Sequence, residues 1–195
     1  MQYCILKRIF DLLISILLLP VLFVAIIIIW PIIYYTDNGP CFYCGKRIGK
    51  NGVVFKMYKF RTMICNAPDI RLPNGDTYNS TDDPRVTKIG KFLRNTSLDE
   101  LPQIINVLRG DMSFVGPRPD PIDWLEHYRE KDMIILTIRP GISGYCQAYF
   151  RNSVEELQKK EHDIYYVRNM SFMFDLRIIV KTISVVITRK NINRC

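Results

Sequence analysis

The stretch "IFDLLISILLLPVLFVAIIIIWPIIYY", Ile9 to Tyr35, decides how the rest of the chain is read. After Asp11 roughly two dozen residues pass without a charge, enough for a bilayer helix of about 20 residues. A secretory signal peptide has a shorter apolar core, about 7 to 15 residues, and a small-residue cleavage pattern that does not follow here. The segment reads as a membrane anchor. Pro20 lies inside it, where a proline removes one backbone hydrogen bond and clashes with the carbonyl of Ile16, so a kink or break is predicted there.

Charge on the flanks sets the topology. Lys7 and Arg8 precede the apolar block, and Lys46, Arg47, Lys50, Lys56, Lys59 and Arg61 follow it, so the positive-inside tendency draws both ends to the cytoplasmic face. A helix bent at Pro20 satisfies both. Its first arm, Ile9 to Leu19, is about 16 Å long, roughly half of a ~30 Å hydrocarbon core. The sequence therefore predicts a re-entrant, monotopic anchor over residues 1–36 and a cytoplasmic-face catalytic domain over 37–195. The competing reading is a kinked full span with the N-terminus outside. In both, Lys7, Arg8 and Asp11 sit at the interface, with Arg8 and Asp11 spaced to pair.

At 195 residues the chain has the length of one compact domain, and no internal period suggests a repeat. Lys and Arg exceed Asp and Glu by 27 to 19, a formal charge of +8 that favours polyanionic partners: nucleic acid, anionic headgroups or phosphorylated substrates. The anchor and the lack of a recognisable nucleic-acid module argue against nucleic acid.

Beyond the anchor, "CFY" and "VVFKMYKF" flank the turn formers Gly49, Asn51 and Gly52 and read as a β-hairpin. Lys56, Lys59 and Arg61 alternate with Met57, Tyr58 and Phe60, placing at least two cations on one strand face, suited to phosphate or to anionic lipid. Residues 65–84 read as a polar loop. Cys41 and Cys44 form one C-x-x-C without a second pair, too little for a structural zinc site, and the cytoplasmic placement disfavours disulfides. His127 and His162 read as helix-surface residues.

In "SLDELPQ", Ser97 to Gln103, Ser97 and Glu100 have capping-box spacing, and acidic residues suit a first helical turn. Pro102 shifts the expected helix start a residue or two later. "IINVL" then supplies an apolar face, and Gly110, Gly116, Pro117 and Pro119 impose turns around Arg118 that can aim a guanidinium and backbone amides at an anion. The adjacent carboxylates Asp99 and Glu100 also suit a divalent cation, Mg²⁺ when phosphates complete the oxygen shell. Near the C-terminus, "SFMFDLRIIVKTISVVITRK" from Ser171 places Arg177, Lys181, Ser184 and Thr188 on one narrow helix face against a broad apolar remainder. That is the pattern of a helix lying at a membrane interface.

Six motifs in order carry a resemblance: "KRIFD" (Lys7–Asp11), "YKFRTM" (Tyr58–Met63), "DDPRVTKIGKFLR" (Asp82–Arg94), "SLDELPQ", "GDMSFVGPRP" and "RPGISG" (Arg139–Gly144). Together they resemble the bacterial sugar transferases, the small monotopic phosphoglycosyl transferases, over nearly the entire chain, in the form of the minimal catalytic unit. The resemblance implies transfer of a sugar 1-phosphate from a UDP-sugar to polyprenol phosphate with release of UMP, starting a membrane-linked glycan at the cytoplasmic face of the bacterial inner membrane. Asp99 matches the family's nucleophile, giving a covalent phosphosugar aspartyl intermediate, and Glu100 the residue associated with Mg²⁺. Arg118 matches the arginine of "GPRP", and Arg94 and Arg151 match basic positions. Lys59 and Arg61 complete the expected substrate-binding set.

The expected fold is α+β and mostly helical, with the re-entrant helix, a small hairpin and amphipathic interfacial helices. Where many relatives have a tryptophan followed by Asn-Gly-Arg, this chain reads "GYCQAYFRNS" (Gly144–Ser153), and Gly45 replaces a glutamine ahead of Arg47; both bear on donor-sugar choice. A membrane scaffold that binds lipid phosphate or nucleotide sugar without turnover is the alternative reading. Oligomeric state, including a homodimer, is left open by the sequence.

Overall fold

The computed structural model describes residues 2–70, 78, 80, 82–150 and 156–188, and these form a mostly helical α+β protein with two small sheets. Helix α1 spans Gln2–Asp37 and runs unbroken through Pro20 and Pro31. Helical hydrogen bonding thus continues through Pro20, where the sequence predicts a kink or break. One proline removes one N–H donor, while the neighbouring backbone groups, set among apolar side chains, keep their intrahelical partners for want of water. Tyr3–Asp37 is also long and apolar enough to cross a membrane by length and composition.

Burial along α1 is confined to one stripe. Asp11, Ser15, Leu22, Ile29 and Ile33 are covered, while Leu13, Leu17, Phe23, Ile28 and Trp30 are among many apolar side chains left exposed. The spacing of the covered residues, 4, 7, 7 and 4, is one face of a helix of 3.6 residues per turn. The rest of the surface is a solvent mismatch in water and a match in lipid.

Both ends of α1 are fastened to the same polar body. At the N-terminal end, Lys7 pairs with Asp175, and Arg8 donates to the carbonyls of Val107 (2.6 Å) and Leu108 (3.0 Å). Asp11 accepts from Ser113 Oγ and Phe114 N, both at 3.1 Å. The Arg8–Asp11 pairing allowed by their spacing is thus replaced by longer-range partners on both residues. At the other end, Ile29 and Ile33 pack with Cys41, Phe60 and Leu93, and Asp37 binds Arg61.

The expected hairpin is present: β1 (Phe42–Ile48) pairs antiparallel with β2 (Val54–Phe60), from Phe42 opposite Phe60 to Ile48 opposite Val54. Its turn needs positive φ, supplied by Asn51 (57°) and Gly52 (75°). Cys41 is buried and Cys44 exposed, because an odd spacing along extended chain sends side chains to opposite faces. Helix α2 (Lys88–Thr96) is capped by Thr87 Oγ1, which accepts from Gly90 N, and α3 spans Gln103–Arg109. Buried Asn106 ties α3 to β2 by accepting from Tyr58 N (2.9 Å) and donating to Lys56 O (2.7 Å). These two bonds fix the distance between strand and helix.

A second sheet pairs β3 (Ser113–Val115) in parallel with β4 (Gly141–Ser143). Here Gly141 is required: a Cβ on it would lie 2.1 Å from Gly116 N. Helices α4 (Tyr145–Tyr149), α5 (Glu156–Asn169) and α6 (Phe172–Thr188) close the fold around Val115, Ala148, Tyr166 and Ile178.

Candidate active site

Asp99 and Glu100 do not open a capped helix. Ser97 adopts a left-handed conformation (φ 57°) that ends α2, its side chain makes no cap bond, and Leu98–Glu100 form a single 3₁₀ turn before α3. The short turn between α2 and α3 leaves both carboxylates within reach of one lysine side chain. Asp99 is 8% exposed and Glu100 half-buried.

Two cations meet them. Lys59, from β2, donates to Glu100 Oε1 at 2.7 Å and lies 3.8 Å from Asp99 Oδ2. Arg118 Nη2 donates to the same Glu100 oxygen at 2.9 Å. Arg118 projects outward between buried Pro117 and Pro119, and that turn is held from behind: Asp120 O accepts from Ile48 N, while the Asp120 carboxylate binds Lys160 Nζ and Tyr128 Oη. Arg94, from α2, donates to Thr62 Oγ1 at 2.9 Å and is near enough for the Asp99 charge to act on it.

This arrangement divides the charge unequally. Burial pushes the Asp99 carboxyl above its ordinary value, opposed by Lys59 and reinforced by the Glu100 charge. Burial also works against ionised Glu100, but Arg118 and Lys59 together outweigh it and hold that carboxyl at about 2. Glu100 is thus the fixed anion of the pair.

Of the sequence-derived candidates, Asp99, Glu100, Lys59 and Arg118 come together and Arg94 stands beside them. Arg61 does not join them. It is 7% exposed, its guanidinium grips Asp37 through two 2.5 Å bonds, and its remaining donors go to Pro40 O and Met63 O. The expected sharing of one phosphate-facing surface by Lys59 and Arg61 is corrected accordingly. Lys56 points away, opposite Lys46 across the hairpin. Arg151 lies outside the described residues.

The sequence reading missed an aromatic cluster. Tyr145 stands 5.0–5.8 Å, ring centre to ring centre, from Tyr149, Phe150, His162, Tyr165 and Phe174. His162, read as a surface residue, stacks on Phe150 at 3.9 Å. The available signal was Tyr145/Tyr149 at i,i+4 and His162/Tyr165 at i,i+3, split across two segments.

Among the described residues no three His, Cys, Asp or Glu side chains converge as a metal cage. Asp99 and Glu100 nevertheless fit Mg²⁺, which uses one or two carboxylates plus substrate phosphate and water, and Lys59 and Arg118 are spent on only one of the Glu100 oxygens.

Residues 2–189 match the family model described as bacterial sugar transferase. The chain belongs to this family. It is 42% identical over 191 residues to the exopolysaccharide production protein ExoY of Sinorhizobium fredii, covering 92% of this chain and 84% of that one. To an uncharacterised sugar transferase, EpsL, of Bacillus subtilis it is 40% identical, with 97% and 91% covered. The undecaprenyl-phosphate galactose phosphotransferase of Salmonella typhimurium is 38% identical over 195 residues, 94% of this chain. This sugar transferase spans only 41% of that relative's length, and likewise 41% of a Haemophilus influenzae sugar transferase.

Proposed function

We propose that this sugar transferase is a phosphoglycosyl transferase that moves a sugar 1-phosphate from a UDP-sugar to a polyprenol phosphate through a phospho-aspartyl intermediate on Asp99. The observation that carries this reading is the pairing of a buried carboxylate, Asp99, with a neighbour, Glu100, held ionised by Lys59 and Arg118. Relatives named for undecaprenyl-phosphate phosphotransfer and exopolysaccharide production support the substrate class.

In the first step an Asp99 oxygen attacks the sugar-bearing phosphorus, an O–P bond forms, and the bond to the departing phosphate of UMP breaks. Burial raises the basicity of Asp99 and with it the strength of the bond it forms. Lys59 and Arg118 face the phosphoryl oxygens as their charge shifts toward the leaving group. In the second step an oxygen of polyprenol phosphate attacks the same phosphorus and Asp99 leaves as carboxylate, so no proton need be gained or lost overall. Glu100 and Asp99 are the residues that would hold Mg²⁺, which supplies charge neutralisation of the diphosphate when bound.

Residues 1–36 form the anchor in this reading and 37–195 the catalytic domain, at the cytoplasmic face of the bacterial inner membrane. A re-entrant course is supported by the fastening of both ends of α1 to one polar body. A 36-residue helix crossing a ~30 Å core would carry its ends to opposite sides. Helix α6, with Arg177, Lys181, Ser184 and Thr188 beside an exposed apolar row, lies in the headgroup region.

The test is intact-protein mass measurement after incubation with individual UDP-sugars, without polyprenol phosphate. A phosphosugar-sized addition on Asp99 with equimolar UMP is the expected result. UMP release undiminished in Asp99→Asn overturns the nucleophile assignment, and no UMP from any donor with added acceptor overturns the transferase reading in favour of a binding scaffold.

A further inference from the structure

The exposed side of α6 carries two parallel rows. Met173, Leu176, Val180, Ile183 and Ile187 form an apolar row, with Val180 59% and Ile187 75% exposed. One residue further round run Arg177, Lys181, Ser184 and Thr188. Between α6 and Tyr149 of α4 these rows line an open groove of about 430 Å³, bounded by Leu176, Arg177, Val180, Lys181 and Ser184. Lys181 Nζ lies 5.7 Å from the Tyr149 ring centre.

Charge in this groove is uncompensated among the described residues. Arg177 and Lys181, four apart on one face, repel each other, and no described carboxylate is paired with either. Asp175, the acid of the same helix, is buried and accepts from Tyr3, Lys7 and Tyr166 instead. An anion between the two cations adds two attractions that outweigh their mutual repulsion.

The start of α6 also touches the anchor, with Phe172 and Phe10 rings 5.2 Å apart. That contact joins the first turn of the groove-bearing helix to the apolar helix α1. The groove's layers follow those of a lipid: cations for a phosphodiester, a tyrosine at the interface and an apolar row for an acyl chain.

We propose that the groove between α4 and α6 binds a phospholipid of net negative headgroup charge, its phosphodiester between Arg177 and Lys181 and an acyl chain along Leu176 and Val180. The headgroup has to be net anionic because a zwitterionic one would bring its own ammonium group against two cations. This inference rests on α6 lying at the membrane interface.

The experiment is native mass spectrometry of the full chain in detergent, titrated with phosphatidylglycerol or phosphatidylcholine, with no nucleotide sugar present. One phosphatidylglycerol retained per chain, at least roughly tenfold over phosphatidylcholine, is expected. Arg177→Gln with Lys181→Gln lowers retention by roughly fivefold per cation removed. Val180→Trp fills the groove, leaves both cations in place and also excludes the lipid. Equal retention of the two lipids, or retention unchanged in both variants, overturns the proposal. So does full competition by inorganic phosphate, which marks a bare anion site, or displacement by equimolar polyprenyl phosphate, which reassigns the groove to the acceptor. UMP release measured on a parallel aliquot supplied with UDP-sugar and polyprenyl phosphate separates the two failures: turnover without lipid preference sinks this inference alone.

Discussion

Arg61 holds Asp37 through two parallel hydrogen bonds of 2.5 Å each, closing the end of the anchor helix onto the strand that carries Lys59. Lys59 in β2 thus faces the carboxylates, while Arg61, just beyond the strand's end, builds the fold. Arg61→Ala leaves Asp37 unpaired and should cost about 3 kcal/mol, a fall in Tm of roughly 6–12 °C in detergent. Asp37→Asn should give a similar thermal profile. A raised donor KM without loss of Tm in Arg61→Ala would instead put Arg61 on the substrate.

In the proposed reaction Lys59 and Arg118 act on developing phosphoryl charge, so Lys59→Met and Arg118→Ala should each lower kcat by roughly 10²–10³ with smaller changes in donor KM. Arg118→Lys should recover little, since one ammonium cannot reproduce the guanidinium fork. Steady-state UMP release decides it.

Lys160 reaches the same chemistry from behind. It binds Asp120, two residues beyond Arg118, and lies 3.5 Å from the Tyr128 ring centre. Lys160→Met frees that turn and should lower kcat roughly 10- to 100-fold by misplacing Arg118, with phosphosugar adduct formation slowed in proportion. Unaltered kcat would remove Lys160 from the positioning of the turn.

Buried Asp83 accepts from Arg85, which also ties down Pro68 O and Tyr78 O; the Arg85 hydrogen bond holds the Asp83 carboxyl below its ordinary value, with Arg94 adding to the effect. A folded pKa below the unfolded ~3.9 adds stability above that pH and loses it as pH falls toward the folded value. The Tm gap between the native protein and Asp83→Asn should therefore be full near pH 6 and shrink below about pH 4. A gap independent of pH would show that Asp83 contributes by packing alone.

Cys4 and Cys44 are both exposed and lie on either side of the apolar block Leu12–Tyr35. In single-cysteine versions of the chain, a membrane-impermeant maleimide added to inside-out vesicles should label both, and added to intact spheroplasts neither. Labelling from opposite sides would replace the re-entrant course by a full span.

The long apolar helix, the hairpin and the adjacent carboxylates were legible because each rests on local chain chemistry. An uncharged apolar run, turn formers between β-branched strands and a fixed motif order need no knowledge of distant contacts. The same local reading noted capping-box spacing at Ser97 and grouped Arg61 with Lys59, whereas Ser97 makes no cap bond and Arg61 binds Asp37. Whether a left-handed residue ends α2, or Asp37 lies within reach of Arg61, depends on how α1 packs across the hairpin.

By itself the sequence determined which residues carry charge, which prefer lipid and which family the motifs resemble. The tertiary structure alone decided which of the many cations meet the carboxylates at 99 and 100, and which partners hold the two ends of the apolar helix. The reason is range: hydropathy and turn propensity act over a few residues, whereas a 2.7 Å bond between Lys59 and Glu100 joins positions 41 apart and forms only when strand and helix are already docked.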